Sequence, residues 1–197
     1  MDRLSDRVII IGRNAKKYYW GDLDAEIWGR NGVRPAWVPR WNRMFNIHRR
    51  KSLEEDWAEG LAADIKWANE NPSVPFYVID EWPDAPSTIP FPRHELSEMP
   101  RPDYHAGSFD WMVAFAILLG FKRIDLHGAG LVGELGSPLS ARPCLEYWCG
   151  YAEGRGISVT RANDCDLFYN YHFTKTVSPY GYVEMPLIED RTGLDAQ

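Results

Sequence analysis

The run Arg7-Val8-Ile9-Ile10-Ile11-Gly12 constrains this chain more than any other segment. An unbroken β-branched stretch with no polar alternation has no face left for water, so it reads as a strand buried on both sides, the mark of a parallel sheet. Placed so near the start, it is expected at the sheet centre. Further short strands are expected at Ala25–Asn31 and Arg43–His48, separated by a loop rich in Pro and Trp, and at Val74–Asp80, Arg123–Gly128 and Ile157–Thr160. Helical spacing recurs between them. Ser52 is a candidate N-cap for a helix in which Glu54, Glu55 and Asp56 fill the first turn and Trp57, Leu61, Ile65 and Ala68 share a face. Gly107-Ser108 opens a second helix, Phe109–Leu119, apolar all round and ended by Gly120, and Leu139–Glu153 forms a third, stopped by Gly154-Arg155-Gly156.

Strands alternating with helices predict an α/β fold of Rossmann-like type, with a mostly parallel central sheet and helices on both faces. A length of 197 residues with 45% hydrophobic content suits one core, so residues 1–197 are read as a single domain. The long loop at about 82–106 and the aromatic tail from about 166 depart from the repeating pattern. No apolar run approaches the roughly 18 residues of a membrane span, and the first residues lack the apolar core of a secretion signal, so no membrane partner and a cytoplasmic location are expected. The three cysteines form no CxxC pair and read as reduced thiols. A net charge of −6 argues against a protein that grips nucleic acid over its whole surface, while Arg40, Arg43, Arg49, Arg50 and Lys51 form a local basic cluster or a solvated edge.

In parallel sheets the ligand lies beyond the carboxyl ends of the strands, near the point where strand order reverses. That rule directs attention to the residues just after each strand. Gly12, Arg13, Asn14 and Lys16 follow the first, where backbone N–H groups and cations can meet a phosphate or simply turn the chain. One glycine does not make G-x-G-x-x-G or a P-loop. Asn31 ends the second strand and can hydrogen-bond a base or ribose, or form an Asn-Gly turn. His48 and His127 end two strands that can converge, each a general acid or base or a structural imidazole, and Gly128 follows the latter. Gly107 and Ser108 offer a helix N-terminus to an anion, or Ser108 is a plain N-cap. Asp80 and Glu81 are adjacent and point opposite ways on an extended chain, so Asp80 is a ligand-binding candidate without being half of a chelate. No metal is predicted, and the residues identify no cofactor.

The segment from Gly107 to Gly128 resembles a pattern shared by small bacterial sialyltransferases and by the uncharacterised family that includes the archaeal-type 6-hydroxymethylpterin pyrophosphokinases. A glycine and a small polar residue open a helix with spaced alanines, Ala114 and Ala116. Leu119-Gly120-Phe121-Lys122 then turns into a strand ending in glycine. Short phage proteins of unassigned function resemble the chain further through Ile27-Trp28-Gly29-Arg30-Asn31, Phe45-Asn46-Ile47-His48, Gly150–Ile157 and Tyr180-Gly181-Tyr182. The resemblance implies a Rossmann-like transferase with a nucleotide-linked donor, its phosphates near Gly12 to Ala15 and its nucleoside near Asn31. Three functions follow as expectations. The first is transfer from such a donor, either glycosyltransferase-like from a sugar nucleotide or transfer of a nucleotidyl or pyrophosphoryl group, with Arg13, Lys16 and Ser108 neutralising the phosphates and His48 or His127 moving the proton. The second is binding of a nucleotide without turnover, and the third is a nucleic-acid modification role in a phage, acting in the host cytoplasm.

Overall fold

The computed structural model describes residues 3–17, 24–129, 138–162, 165 and 167. The aromatic tail beyond Leu167 lies outside the described residues. The strands are β1 (Arg7–Ile11), β2 (Glu26–Arg30), β3 (Arg43–Asn46), β4 (Phe76–Val78), β5 (Thr88–Pro90), β6 (Arg123–His127) and β7 (Ser158–Arg161). The helices are α1 (Arg50–Asp56), α2 (Ala58–Glu70), α3 (Arg93–Leu96), α4 (Ser108–Leu118) and α5 (Pro138–Gly154).

All seven strands join one sheet in the order β5-β4-β3-β2-β1-β6-β7, and every pairing is parallel. The chain is a Rossmann-like α/β fold. Val8, Ile9, Ile10 and Ile11 are fully buried because β1 lies between β2 and β6 with both faces covered. The middle position, however, belongs to β2, since the chain adds four strands on one side of β1 and two on the other.

Helices α4 and α5 cover one face. Phe115 of α4 is wholly buried there, its ring 5.2–5.9 Å from those of Tyr77, Phe91, Trp28 and Phe45. Burial of such a ring contributes about 1.5–3 kcal/mol. Because α4 is wedged among the sheet, α3 and α5, its side chains are apolar on all sides, as the sequence led us to expect. Leu61 and Ala68 of α2 pack with Met44, Phe76 and Val78 on the opposite face. Among the described residues no helix is long and apolar enough to cross a membrane.

Three local expectations are corrected. The helix expected from Ser52 begins earlier, at Arg50, and is broken at Trp57 (φ −151°, ψ 43°) into α1 and α2. Ser52 is therefore not a cap. The break lays the Trp57 indole on Gly60, where a Cβ would stand 1.9 Å from the ring. The 82–106 segment holds structure of its own, the edge strand β5 and the single turn α3. Pro90 is tolerated there because an edge strand needs no donor on its outer side. Finally, Gly107 is the N-cap of α4 and Ser108 its first residue.

The basic cluster of the sequence does not form one surface. Arg43 is buried in the core against Glu26, Arg40 donates to the Ala25 carbonyl, Arg50 is ion-paired with Glu54 and Asp84, and Lys51 stands beside Glu55.

Candidate functional site

The strand order reverses between β1 and β6, so the switch point lies where Gly12 and Gly128 leave their strands. The two meet backbone to backbone. A Cβ on Gly12 would stand 2.4 Å from the Gly128 carbonyl oxygen and 2.5 Å from the Phe109 ring, and one on Gly128 would stand 2.0 Å from the Ala15 nitrogen. Chain, rather than ligand, occupies the space these glycines leave. The turn after β1 also uses its own donors, with the N–H groups of Gly12, Asn14 and Ala15 bonded to the carbonyls of His127, Gly128 and Gly12. The side chains of Arg13, Asn14 and Lys16 are left exposed on the rim.

The start of α4 reaches the same place. Phe109 touches Gly12, and the Arg30 guanidinium lies 5.5 Å from the centre of the Phe109 ring. Asp110 has already met the positive end of the helix: its Oδ2 accepts the N–H groups of Ala106 (2.8 Å) and Gly107 (2.9 Å). An anion at Gly107 and Ser108 has to compete with that carboxylate. The other oxygen of Asp110 faces His105 Nδ1 at 3.3 Å, and the His105 ring is stacked between Trp111 (3.6 Å) and Trp148 (4.8 Å), which ties the entrance of α4 to α5.

A denser polar group gathers at the ends of β2 and β3. Register pairs Arg30 with Phe45, and the Asn31 N–H donates to the Phe45 carbonyl at 2.7 Å, so Asn31 and Asn46 stand at adjoining strand ends. Asn46 is fully buried and donates through Nδ2 to Asp64 Oδ2 at 2.9 Å. Asp64, on α2 and fully buried too, also accepts from the Gly32 N–H and from the Arg34 guanidinium. The Oδ1 atoms of both Asn31 and Asn46 are buried without a hydrogen-bond partner. A buried polar atom left this way costs about 1–3 kcal/mol, so such pairs call for an explanation.

His48 lies two residues past β3 and is exposed. Desolvation of its inner side, and then the positive charge of Arg30, hold its imidazole below the ordinary pKa, with Asp64 pulling the other way. It is therefore neutral at pH 7 and able to accept a proton. His127 is buried at the end of β6, and β1 and β2 lie between it and β3. At about 4.8 Å per strand the two chains are about 14 Å apart, so the two histidines do not converge.

Asp80 has a structural use. Its Oδ2 accepts the Arg50 N–H at 2.8 Å and so caps α1 in place of the expected Ser52. Asp80→Ala is expected to lower the urea midpoint by an amount equal to about 1 kcal/mol, with Asp80→Asn retaining most of it.

Sequence reasoning missed Asn46, Asp64 and Arg30 as site residues. A signal for Asp64 existed. It occupies the core face of α2 between Leu61 and Ala68, where a carboxylate needs a buried partner. Among the described residues no group of three or more His, Cys, Asp or Glu is placed to hold a metal ion. Compared with family models, with curated proteins and with solved structures, the chain matches none.

Proposed function

We propose that the carboxyl edge of the sheet binds a nucleotide-bearing small molecule, with its phosphates toward the Gly12–Lys16 turn and its nucleoside toward Asn31. The observation that carries this reading is the pair of buried, unpartnered amide oxygens of Asn31 and Asn46 at the adjoining carboxyl ends of β2 and β3. They require donors, which a nucleoside supplies through its hydroxyls and amino groups. The cations of the neighbouring loops, Arg13, Lys16 and Lys17, suit the phosphates of an otherwise acidic protein's ligand. The resemblance of the Gly107–Gly128 block to sialyltransferases favours a sugar nucleotide as that ligand.

The chemistry that fits is group transfer. The bond from the sugar to the donor phosphate breaks, the phosphate leaves with the electron pair, and His48 takes the proton of the acceptor hydroxyl as the new bond forms. A second reading, binding without turnover, draws support from the separation of His48 and His127, which leaves a single imidazole for proton transfer.

Thermal shift against nucleoside diphosphates, sugar nucleotides and dinucleotides tests both. A ligand at a hundred times its Kd is expected to stabilise the protein by about 2.7 kcal/mol. Asn31→Ala is expected to weaken binding about 10-fold and so to remove about half of that stabilisation. His48→Ala is expected to leave binding intact and remove product formation if the protein is a transferase, and to change nothing if it only binds. No shift with any class would overturn the nucleotide reading.

A further inference from the structure

Resting on that reading, we infer that Asn31 and Asn46 together take a vicinal diol, so that the site selects a ribonucleotide over its 2′-deoxy counterpart, and that Asp64 is the positioning residue that makes this possible.

An amide side chain can offer an oxygen or a nitrogen, and rotation exchanges them. At Asn46 the choice is made by Asp64. A carboxylate is an acceptor only, so it holds Nδ2 toward itself at 2.9 Å and turns Oδ1 away as a fixed acceptor. The Arg34 guanidinium and the Gly32 N–H donate to the other carboxylate oxygen and hold the group in place. The neighbouring Asn31 presents its Oδ1 from the adjoining strand end. Two acceptors at adjoining strand ends repel phosphate and carboxylate oxygens, and an apolar group satisfies neither. They match two hydroxyls on adjacent carbons, each donating one proton.

Position argues for the sugar rather than the base. In sheets whose second strand neighbours the first, the acceptor at the end of the second strand meets the ribose hydroxyls while the phosphates sit at the first. Asn31 follows β2, which pairs with β1. Both amide oxygens are covered by protein, so a ligand reaches them by displacing a neighbouring side chain, and the gain depends on both donors being present.

The test is titration calorimetry of the full chain with ADP, GDP, CDP and UDP and with their 2′-deoxy and 3′-deoxy forms. For the base that binds, the ribonucleotide is expected to bind at least about 10-fold tighter than either deoxy form, since each leaves a buried acceptor unpaired. In Asp64→Asn the Asn46 amide is free to turn, and the ratio is expected to fall toward one while affinity for the deoxy forms is unchanged. A merely structural Asp64 would lower all affinities alike and preserve the ratio. Should Asp64→Asn fail to fold, Asn31→Ala, at a half-buried position, is expected to erase the same ratio. Equal affinity of the wild-type chain for ribo and deoxy forms would overturn the diol, as would binding of ADP and CDP but not UDP whatever the sugar, which would assign the acceptors to an exocyclic amine. Binding of none of these nucleotides would overturn the nucleotide reading itself.

Discussion

Arg43→Ala is expected to cost about 3–5 kcal/mol of folding stability at pH 7, because it strands a buried carboxylate. Glu26 is fully buried at the start of β2. Its two oxygens accept from Arg43 Nε (2.8 Å) and Nη2 (3.3 Å), from the Leu4 N–H (2.8 Å) and from the Trp28 indole N–H (2.7 Å). Arg43 in turn donates to the Tyr77 hydroxyl at 3.0 Å and lies 5.7 Å from the Trp28 ring centre. Burial by itself would raise the Glu26 pKa. The bond from Arg43 first, and the Leu4 and Trp28 donors after it, outweigh burial and hold it below the ordinary carboxylate value.

The pH dependence follows with a definite sign. A carboxyl with a lowered folded-state pKa contributes stability above its unfolded value, and that contribution is lost as pH falls through the folded one. In Arg43→Ala burial prevails and the Glu26 pKa rises, so the group protonates early and its penalty shrinks in acid. The gap between wild type and variant, read from urea unfolding, is therefore expected to be widest near neutrality and to narrow toward pH 4. A loss below about 1 kcal/mol, constant with pH, would contradict this account, because only exposed pairs behave so.

Gly128→Ala is the second large effect. Gly128 adopts φ +63°, and its added Cβ would stand 2.0 Å from the backbone nitrogen of Ala15 and 2.5 Å from its Cα. The left-handed backbone alone costs an alanine about 1–2 kcal/mol. Displacing the turn after β1 raises the expected loss to about 3 kcal/mol or more, in the range of an overpacked core. Gly120 is the matched control, since it adopts φ +76° with nothing within 4 Å of the added carbon. Gly120→Ala should show the conformational cost alone. Equal losses at the two positions, measured by the same denaturation, would mean that the Gly12–Ala15 turn yields freely and does not hold the switch point closed.

These two sites differ in how visible they were in sequence. Gly128 stood out because glycine after a strand marks a special turn. The Glu26–Arg43 pair did not, because a charged residue opening a strand normally belongs to the surface, and only the pairing of β2 with β3 brings the two charges together under α4. The same contrast runs through the fold. The strands β1, β2, β3, β4, β6 and β7 could be read from their β-branched and aromatic residues between turn signals, most directly β1, where a strand covered on both faces leaves a continuous apolar run. Thr88-Ile89-Pro90 could not, being short, at an edge and ended by proline. The break at Trp57 was equally hidden, since the apolar spacing continues across it and only the indole lying on Gly60 interrupts the helix.

The alternation of strands and helices, the parallel sheet, and the residues that leave the carboxyl ends of the strands are all legible in the order of the amino acids. All of these are local properties, written in the period of apolar residues and the chemistry of turns. Which strand ends are neighbours was settled by the folded chain. It set His48 and His127 apart by placing β1 and β2 between them, put Asn31 and Asn46 at adjoining strand ends, and brought Asp64 to the Asn46 amide and the Gly32 N–H from a helix that sequence marked only as amphipathic. Strand order arises from pairings between distant segments, and the burial of an amide or a carboxylate depends on what that order brings over it.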